Sequence, residues 1–298
     1  MIELHYPQGS EDWLQARAGV VTASRFKDAI DKVGGLDPKQ QAYVDAILAG
    51  RDAVSAKAMA GYKMAPTSSM IARALAGESV YSPSYKAISY AWTIAMEIIA
   101  RKSLDETFVT WKMRQGQERE PQARRAYEAK TGELVEEVSL ILTDDSAFGY
   151  SADGFVGDDG LIEIKCPGTP DVVGSVWEKP ATAHEDYIHQ INGGLWITGR
   201  KWCDLVIYYP ELAPVGKELF IKRIHRDDDV INKLEEDLVE FHKIVRRKLA
   251  ILRGEPISDV ANPPWDTAPT QAAAPIKTMP MLPAAKQALD LPEDIFTF

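Results

Sequence analysis

Hydrophobic residues recur at helical spacing in three stretches of this chain and at strand-like spacing in several shorter ones. From Ser84 to Arg101, Ile88, Ala91, Trp92, Ala95, Ile98 and Ile99 return every three or four residues, which predicts a core helix. Gln117 to Lys130 predicts a second, with Ala123, Ala126 and Tyr127 inward and Thr131-Gly132 closing it. Asp228 to Arg253 predicts a third, ending at Gly254, with Val230, Leu234, Leu238, Phe241, Val245, Leu249 and Leu252 on one face. Leu134 to Leu142 alternates apolar and acidic residues and reads as a strand. Phe148 to Ser151 and the run from Leu161 to Cys166 read as two more, around the turn Val156-Gly157-Asp158-Asp159-Gly160. Residues 183–209 read as an amphipathic helix followed by a strand, and Asp204–Tyr209 and Leu219–Ile224 as two sheet strands.

Composition narrows the class without naming a chemistry. At 298 residues, 45% hydrophobic and 26% charged, the chain can bury an ample core as one large or two small domains. No apolar run approaches the ~20 residues of a membrane span, and the opening MIELHYPQGSEDW lacks a signal-peptide pattern. Cys166 and Cys203 supply neither a disulfide framework nor zinc spacing, so a reducing cytoplasm is expected. The net charge of −10 speaks at first against a nucleic-acid partner. Beyond Gly254, however, Glu255, Asp259, Asp266, Asp290, Glu293 and Asp294 face only Lys277 and Lys286, which leaves −4 in the tail and −6 before it. Acidity excludes a sequence-blind DNA coat; it does not exclude an enzyme with a local basic channel. Lys112, Arg114, Arg119, Arg124 and Arg125 form the most basic segment, suited to phosphate contact.

The candidate chemistry lies in residues 148–167, FGYSADGFVGDDGLIEIKCP. Successive strand residues face opposite ways, so Glu163 and Lys165 share one face of a run that otherwise belongs inside the protein. A buried unpaired charge is very costly, and such a pair needs a partner such as a metal. Asp153 is placed to complete a hard-oxygen site for Mg²⁺ or Mn²⁺, with a lysine to position or deprotonate water. The bland alternative is a hairpin whose Glu163 and Lys165 pair at a solvated edge. A second candidate lies at residues 10–30. Ser10 and Asp12 can cap a helix carrying Trp13, Leu14 and Arg17, Gly19 ends it, and Thr22-Ala23-Ser24 can open another helix containing Phe26 and Ile30. Hydroxyls at a helix N-terminus beside an arginine make an anion site; the plainer reading leaves Arg17 on the surface.

Asp153-x9-Glu163-x-Lys165 matches the pattern of the PD-(D/E)XK nuclease superfamily. Trp13-x3-Arg17-x-Gly19-x2-Thr22-Ala23-Ser24 resembles the N-terminal motif of the lambda exonuclease, or YqaJ-like viral recombinase, family. Gly116-x3-Glu120-x2-Ala123, Ser151-Ala152-Asp153-Gly154, Glu163-Ile164-Lys165-Cys166-Pro167 and His189-Gln190-x5-Trp196 follow in the family's order, covering most of residues 10–225. The resemblance implies a restriction-endonuclease-like α/β core, a mixed central sheet flanked by helices. It also implies a Mg²⁺-dependent deoxyribonuclease, with Mn²⁺ an option, that digests duplex DNA 5′ to 3′ and leaves 3′ single strands for phage-type recombination. Asp153, Glu163, Glu120 and the Ile164 carbonyl would hold two ions, Lys165 would act on the water and Gln190 would position it. Arg17, Ser24 and Ser151 would hold the 5′-phosphate, and Lys112, Met113, Arg114 and Arg119 are weaker DNA-contact candidates. A homotrimer is inherited from the family in the same way, as is a phage or prophage origin within a bacterial host. His184 and His189 are left as surface or supporting residues, since an oxygen-bound ion does not need them. Cys166 reads as a small buried hydrophobe.

Residues 1–254 are thus the expected nuclease domain. Within it, residues 31–80 carry helical stretches around 39–49 and 67–76 separated by Gly50, Gly61 and Pro66, either a simple helical cover or an insertion touching DNA or a neighbouring subunit. Residues 255–288 have the Pro/Ala composition of a linker. The acidic, apolar tip at 289–298 suits docking to a partner such as a single-strand-annealing protein, or else is an unstructured end or folds onto its own domain. Three other readings stay open: an endonuclease of the same superfamily, an enzyme acting on RNA, and a non-catalytic DNA-end-binding adaptor.

Overall fold

Helix caps and short strands order the N-terminal third. Strand β1 (Ile2–Leu4) leads to α1 (Glu11–Arg17), whose N-cap Ser10 side chain accepts from the Trp13 N–H. Gly19 reverses the chain at φ +78°, and β2 (Val21–Thr22), a 3₁₀ turn (Ala23–Arg25) and α2 (Phe26–Ala29) follow. The computed structural model describes residues 1–104 and 111–256, and their side chains except at 111–115 and 117. The linker and tip expected beyond residue 256 lie outside these residues.

Residues 32–83 form an excursion. Strand β3 (Lys32–Gly34) leaves the body; α3 (Pro38–Leu48), α4 (Ala53–Met59) and α5 (Ser69–Leu75) follow, and β4 (Tyr81–Pro83) returns antiparallel to β3. The helical cover expected here has three helices rather than two, each capped by its own side chain at Asp37, Asp52 or Ser68. They share a small core of Tyr43, Val44, Ala46, Ala56, Ala60 and Ile71.

Next come α6 (Tyr85–Ala100), α7 (Trp111–Thr131), β5 (Val135–Glu136), β6 (Leu140–Leu142), β7 (Phe148–Ser151), β8 (Gly154–Val156) and β9 (Gly160–Lys165). Then follow α8 (Pro170–Glu178), α9 (Ile188–Thr198), β10 (Trp202–Tyr208), β11 (Leu219–His225) and α10 (Asp228–Arg253). The single strand expected over Leu134–Leu142 is two, β5 and β6, which enter different sheets. Helix α8, opened by Thr169-Pro170, was not anticipated. Among the described residues no helix is long and apolar enough to cross a membrane.

The larger sheet runs β11-β10-β9-β8-β5 and is mixed: β9 and β10 are parallel, the other pairs antiparallel. A four-stranded sheet, β1-β6-β7-β2, lies beside it, and the chain crosses from one to the other at Ala152-Asp153, between β7 and β8. Strands β9 and β10 are buried on both faces, as a central parallel pair should be. Leu161, Cys203, Leu205 and Ile207 pack in one core with Ile94 of α6, Ile191 and Leu195 of α9, and Phe241 and Val245 of α10. Ile162, Ile164, Val206 and Tyr208 face the other way, onto Ala123 and Tyr127 of α7. This alternation sends Glu163 and Lys165 to the α9 side of β9.

Candidate active site

Glu163 is only 1% exposed, and its partners come from its own strand, from α9 and from β7. Lys165 Nζ lies 2.7 Å from its Oε1. Gln190 on α9 donates from Nε2 to the same oxygen at 2.6 Å, and Tyr150 on β7 donates its hydroxyl to Oε2 at 2.9 Å. Lys165 also donates to Gln190 Oε1 at 3.2 Å, closing a ring of three side chains. A carboxylate this deep survives only with such compensation. The solvated-edge alternative is thereby excluded, since β9 is a central strand. Helix α9 comes this close because of its glycines: a Cβ on Gly194 would stand 2.8 Å from the Tyr150 ring, and one on Gly193 2.6 Å from the Phe26 ring.

Asp153 sits at the crossing between the sheets, and the Ile164 N–H donates to its Oδ2 at 2.6 Å. Burial, reinforced by Glu163 and Glu120, pushes the Asp153 carboxyl well above the ordinary range. Glu120 on α7 is also raised, by burial first, with Arg124 opposing and Glu163 adding to it. Arg124, one turn further on, holds Glu120 Oε1 at 3.0 Å and the Asp153 carbonyl at 3.3 Å, and pairs with Glu137. Lys165 behaves oppositely. Burial disfavours its charge, but Glu163 and Asp153 outweigh burial and raise its pKa above the usual lysine value.

The same cleft holds a polar cluster from the N-terminal motif. Arg17 reaches Thr22 Oγ1 at 3.4 Å and stacks on Trp13, while Ser24 Oγ lies 3.4 Å from Thr22 Oγ1. The loop is pinned from behind by buried Glu97, whose Oε2 accepts the Gly19 N–H at 2.9 Å. Ser151 Oγ donates to the Ser139 carbonyl at 3.2 Å. One cleft of about 440 Å³ is lined by Arg17, Ser24, Ser151, Glu120, Asp153, Glu163, Ile164, Lys165 and Gln190 together.

Other expected residues fall elsewhere. Arg119 turns from the cleft to Glu211, 2.5 Å away, and lies over the Tyr209 ring. The side chains of Lys112, Met113 and Arg114 lie outside the described residues. His184 contacts Lys222, and Cys166 is half-buried, packed against the smaller core while lining the cleft. Thr22, Tyr150 and Gln8 also line the cleft, and the last two were missed. Thr22 stood in the Thr-Ala-Ser motif, whereas Tyr150 looked like an ordinary core aromatic and Gln8 had no signal.

Residues 57–201 match the family model of the YqaJ-like viral recombinase domain. Over that span the chain is similar to the YqaJ-like viral recombinase domain. Its matched span includes Glu120, Ser151, Asp153, Glu163, Lys165 and Gln190; Arg17 and Ser24 precede it. LHK-Exo, an alkaline exonuclease from Laribacter hongkongensis, is 28% identical, with 82% of this chain and 97% of that one covered. The TM-score is 0.60 to its structure in complex with dAMP and 0.59 to a second LHK-Exo structure. A phage-related exonuclease from Haemophilus somnus 129PT, at 16% identity, 79% and 96% coverage and TM-score 0.51, shares the fold. The chain thus has a restriction-endonuclease-like α/β fold. No curated protein sequence matches the chain.

Proposed function

We propose that this chain is a divalent-metal-dependent exonuclease that degrades duplex DNA from 5′-phosphorylated ends, 5′ to 3′, leaving 3′ single strands for phage-type recombination. The observation that carries this reading is the shared cleft. Arg17, Ser24 and Ser151 stand in it beside Asp153, Glu163, Lys165 and Gln190, so a bound terminal phosphate would lie next to the groups that act on a phosphodiester. The exonuclease character of LHK-Exo supports it. A trimeric ring and a single-strand-annealing partner belong to the same proposal by family resemblance.

The donor set fits Mg²⁺ or Mn²⁺. Asp153, Glu163, Glu120 and the Ile164 carbonyl offer only oxygen, as hard cations require. The carboxyls of Asp153 and Glu120 are raised by burial first and by neighbouring carboxylates after it, and a cation would favour their charged forms. Among the described residues no three such side chains converge into a ready-made cage, because Glu120 is turned to Arg124 and Asp153 to the Ile164 N–H. These residues would hold two ions after giving up those bonds. A bound divalent cation supplies Lewis acidity, lowering the pKa of water and offsetting charge on the leaving 3′ oxygen.

The chain's own groups do the rest. Arg17 and the hydroxyls of Ser24 and Ser151 hold the terminal phosphate by charge-assisted hydrogen bonds. Gln190 fixes Lys165 and Glu163 relative to each other. Lys165 orients the attacking water while charged. It becomes a proton acceptor only when the charges of Glu163 and Asp153 are neutralised, which leaves burial to lower its pKa.

The test is a linear duplex labelled separately at each end, with 5′-phosphate or 5′-hydroxyl termini, in Mg²⁺ or EDTA. Mg²⁺-dependent nucleotide release from the 5′-phosphorylated strand, slower from the hydroxyl end, is expected. Internal cutting of closed circles would replace the exonuclease reading with an endonuclease. End binding with no cleavage in any divalent metal would replace it with an adaptor.

A further inference from the structure

Tyr150 belongs to neither the acidic motif nor the anion cluster, yet its hydroxyl reaches the most buried carboxylate of the site. A carboxylate offers about four lone-pair positions over its two oxygens. On Glu163, Oε1 already faces two donors, Gln190 Nε2 at 2.6 Å and Lys165 Nζ at 2.7 Å. Oε2 takes one, the Tyr150 hydroxyl at 2.9 Å. The remaining position is on Oε2. Tyr150 is itself immobilised: it is 1% exposed on β7, and the α9 backbone at Gly194 lies against its ring. The hydroxyl stays protonated, because burial and the Glu163 charge push its pKa well above the ordinary tyrosine value.

We infer that Tyr150 is a positioning residue that locks the Glu163 carboxylate so that a single lone pair of Oε2 is presented to a divalent cation. This rests on the metal-dependent reading above. Partners behind a ligating carboxylate set its orientation, and losing one weakens metal affinity by about 10- to 100-fold. Tyr150→Phe removes only the hydroxyl and keeps the ring that packs beneath Gly194.

The experiment titrates Mn²⁺ into the full-length, DNA-free protein and follows the free-ion electron paramagnetic resonance signal for the parent, Tyr150→Phe and Glu163→Gln. Thermal melts in EDTA are run alongside. Expected are a roughly tenfold or greater loss of Mn²⁺ affinity in Tyr150→Phe and little or no binding in Glu163→Gln. In the parent itself, Mg²⁺ should produce a tyrosine ultraviolet difference spectrum that Glu163→Gln lacks, a readout independent of how Tyr150→Phe folds. If Glu163→Gln loses Mn²⁺ while Tyr150→Phe binds within twofold of the parent, the positioning role is overturned and the metal site stands. If Glu163→Gln binds Mn²⁺ like the parent, the metal reading falls and takes this inference with it. Absence of the difference spectrum in a parent that binds Mn²⁺ also overturns the role of Tyr150.

Discussion

Lys165 Nζ lies 2.7 Å from Glu163 Oε1, on the face of β9 that α9 covers. Glu163 and Asp153 raise the lysine's pKa against burial, so in the proposed mechanism its removal would strip the site of both a charge and a proton-handling group. Lys165→Met should lower Mg²⁺-dependent nucleotide release by about 10²–10⁴-fold, the range of a positioned acid–base group. Binding to a 5′-phosphorylated duplex in Ca²⁺ or EDTA should persist. A variant that cleaves at the parent rate would remove Lys165 from the chemistry.

Arg17 makes a second prediction. It shares a polar cluster with Thr22 and Ser24, in the same cleft as Ser151. If the cluster holds a terminal phosphate, Arg17→Ala should collapse the ratio of rates on 5′-phosphate and 5′-hydroxyl ends toward one. A charged hydrogen bond of ~1.5–3 kcal/mol corresponds to roughly a 10- to 150-fold change. Arg17→Lys should recover only part of the preference, because the guanidinium fork is lost. An unchanged ratio in Arg17→Ala would put the phosphate elsewhere.

Much of this geometry was readable from residue order, and the part that was not has a common cause. The bounds of α10 followed from its apolar period and the closing Gly254, which stands at φ +67°. Likewise the shared face of Glu163 and Lys165 followed from strand alternation alone. Alternation does not say which sheet a strand joins. The Leu134–Leu142 segment therefore looked continuous but divides, and the crossing at Asp153 was invisible. Tyr150 was missed because its role depends on a hydroxyl meeting a carboxylate thirteen residues away, beneath a helix that approaches only through Gly193 and Gly194. Arg119 looked like a DNA contact until Glu211 and Tyr209 were brought beside it from a distant turn.

The crowding of acids predicts a pH dependence. Asp153 is raised by burial first and then by Glu163 and Glu120; Glu120 is raised by burial first, against Arg124. An acid whose folded pKa exceeds its unfolded value, about 4, binds its proton more tightly in the fold. Its contribution to stability is complete below about pH 4 and is lost as pH rises through the raised value. In EDTA, Asp153→Asn should therefore gain melting temperature relative to the parent as pH climbs from about 4 to 8. A constant offset across that range would show that Asp153 carries no such penalty. Mg²⁺ should stabilise the parent more at the alkaline end.

Tyr127 ties α7 to the sheet behind the cleft. It is fully buried and donates to Asp204 Oδ2 at 2.7 Å, while Arg223 grips both oxygens of Asp204 at 2.8 Å and lies over Trp202. Tyr127→Phe should cost about 1.5–3 kcal/mol in urea unfolding, the range for a hydrogen bond to a charged group. Because α7 also carries Glu120, cleavage should fall more than binding. A cost below ~0.5 kcal/mol, the low end for any intramolecular hydrogen bond, would mean that Arg223 alone satisfies Asp204.

The helical excursion between β3 and β4 should be dispensable for folding. Its three helices pack on one another around Tyr43, Val44 and Ile71, and each supplies its own cap. The ribbon beneath is held by other means: Lys32 pairs with Asp237 of α10 at 2.7 Å, and the Ser84 N–H donates to the Asp31 carbonyl at 2.9 Å. Gly34 is registered opposite Tyr81, so residues 35–80 can be replaced by Asn-Gly, whose type I′ turn suits a two-residue hairpin. The shortened protein should unfold in one cooperative transition, with a melting temperature within about 5 °C of the parent, a shift equivalent to roughly 1–2 kcal/mol for a domain of this size. It should also keep Mg²⁺-dependent cleavage of short duplexes, since Arg17, Glu120, Asp153, Glu163, Lys165 and Gln190 all lie outside the deleted segment. Loss of the cooperative transition would mean that the excursion completes the main core. A folded but inactive variant would instead place part of the DNA-handling surface on α3, α4 or α5.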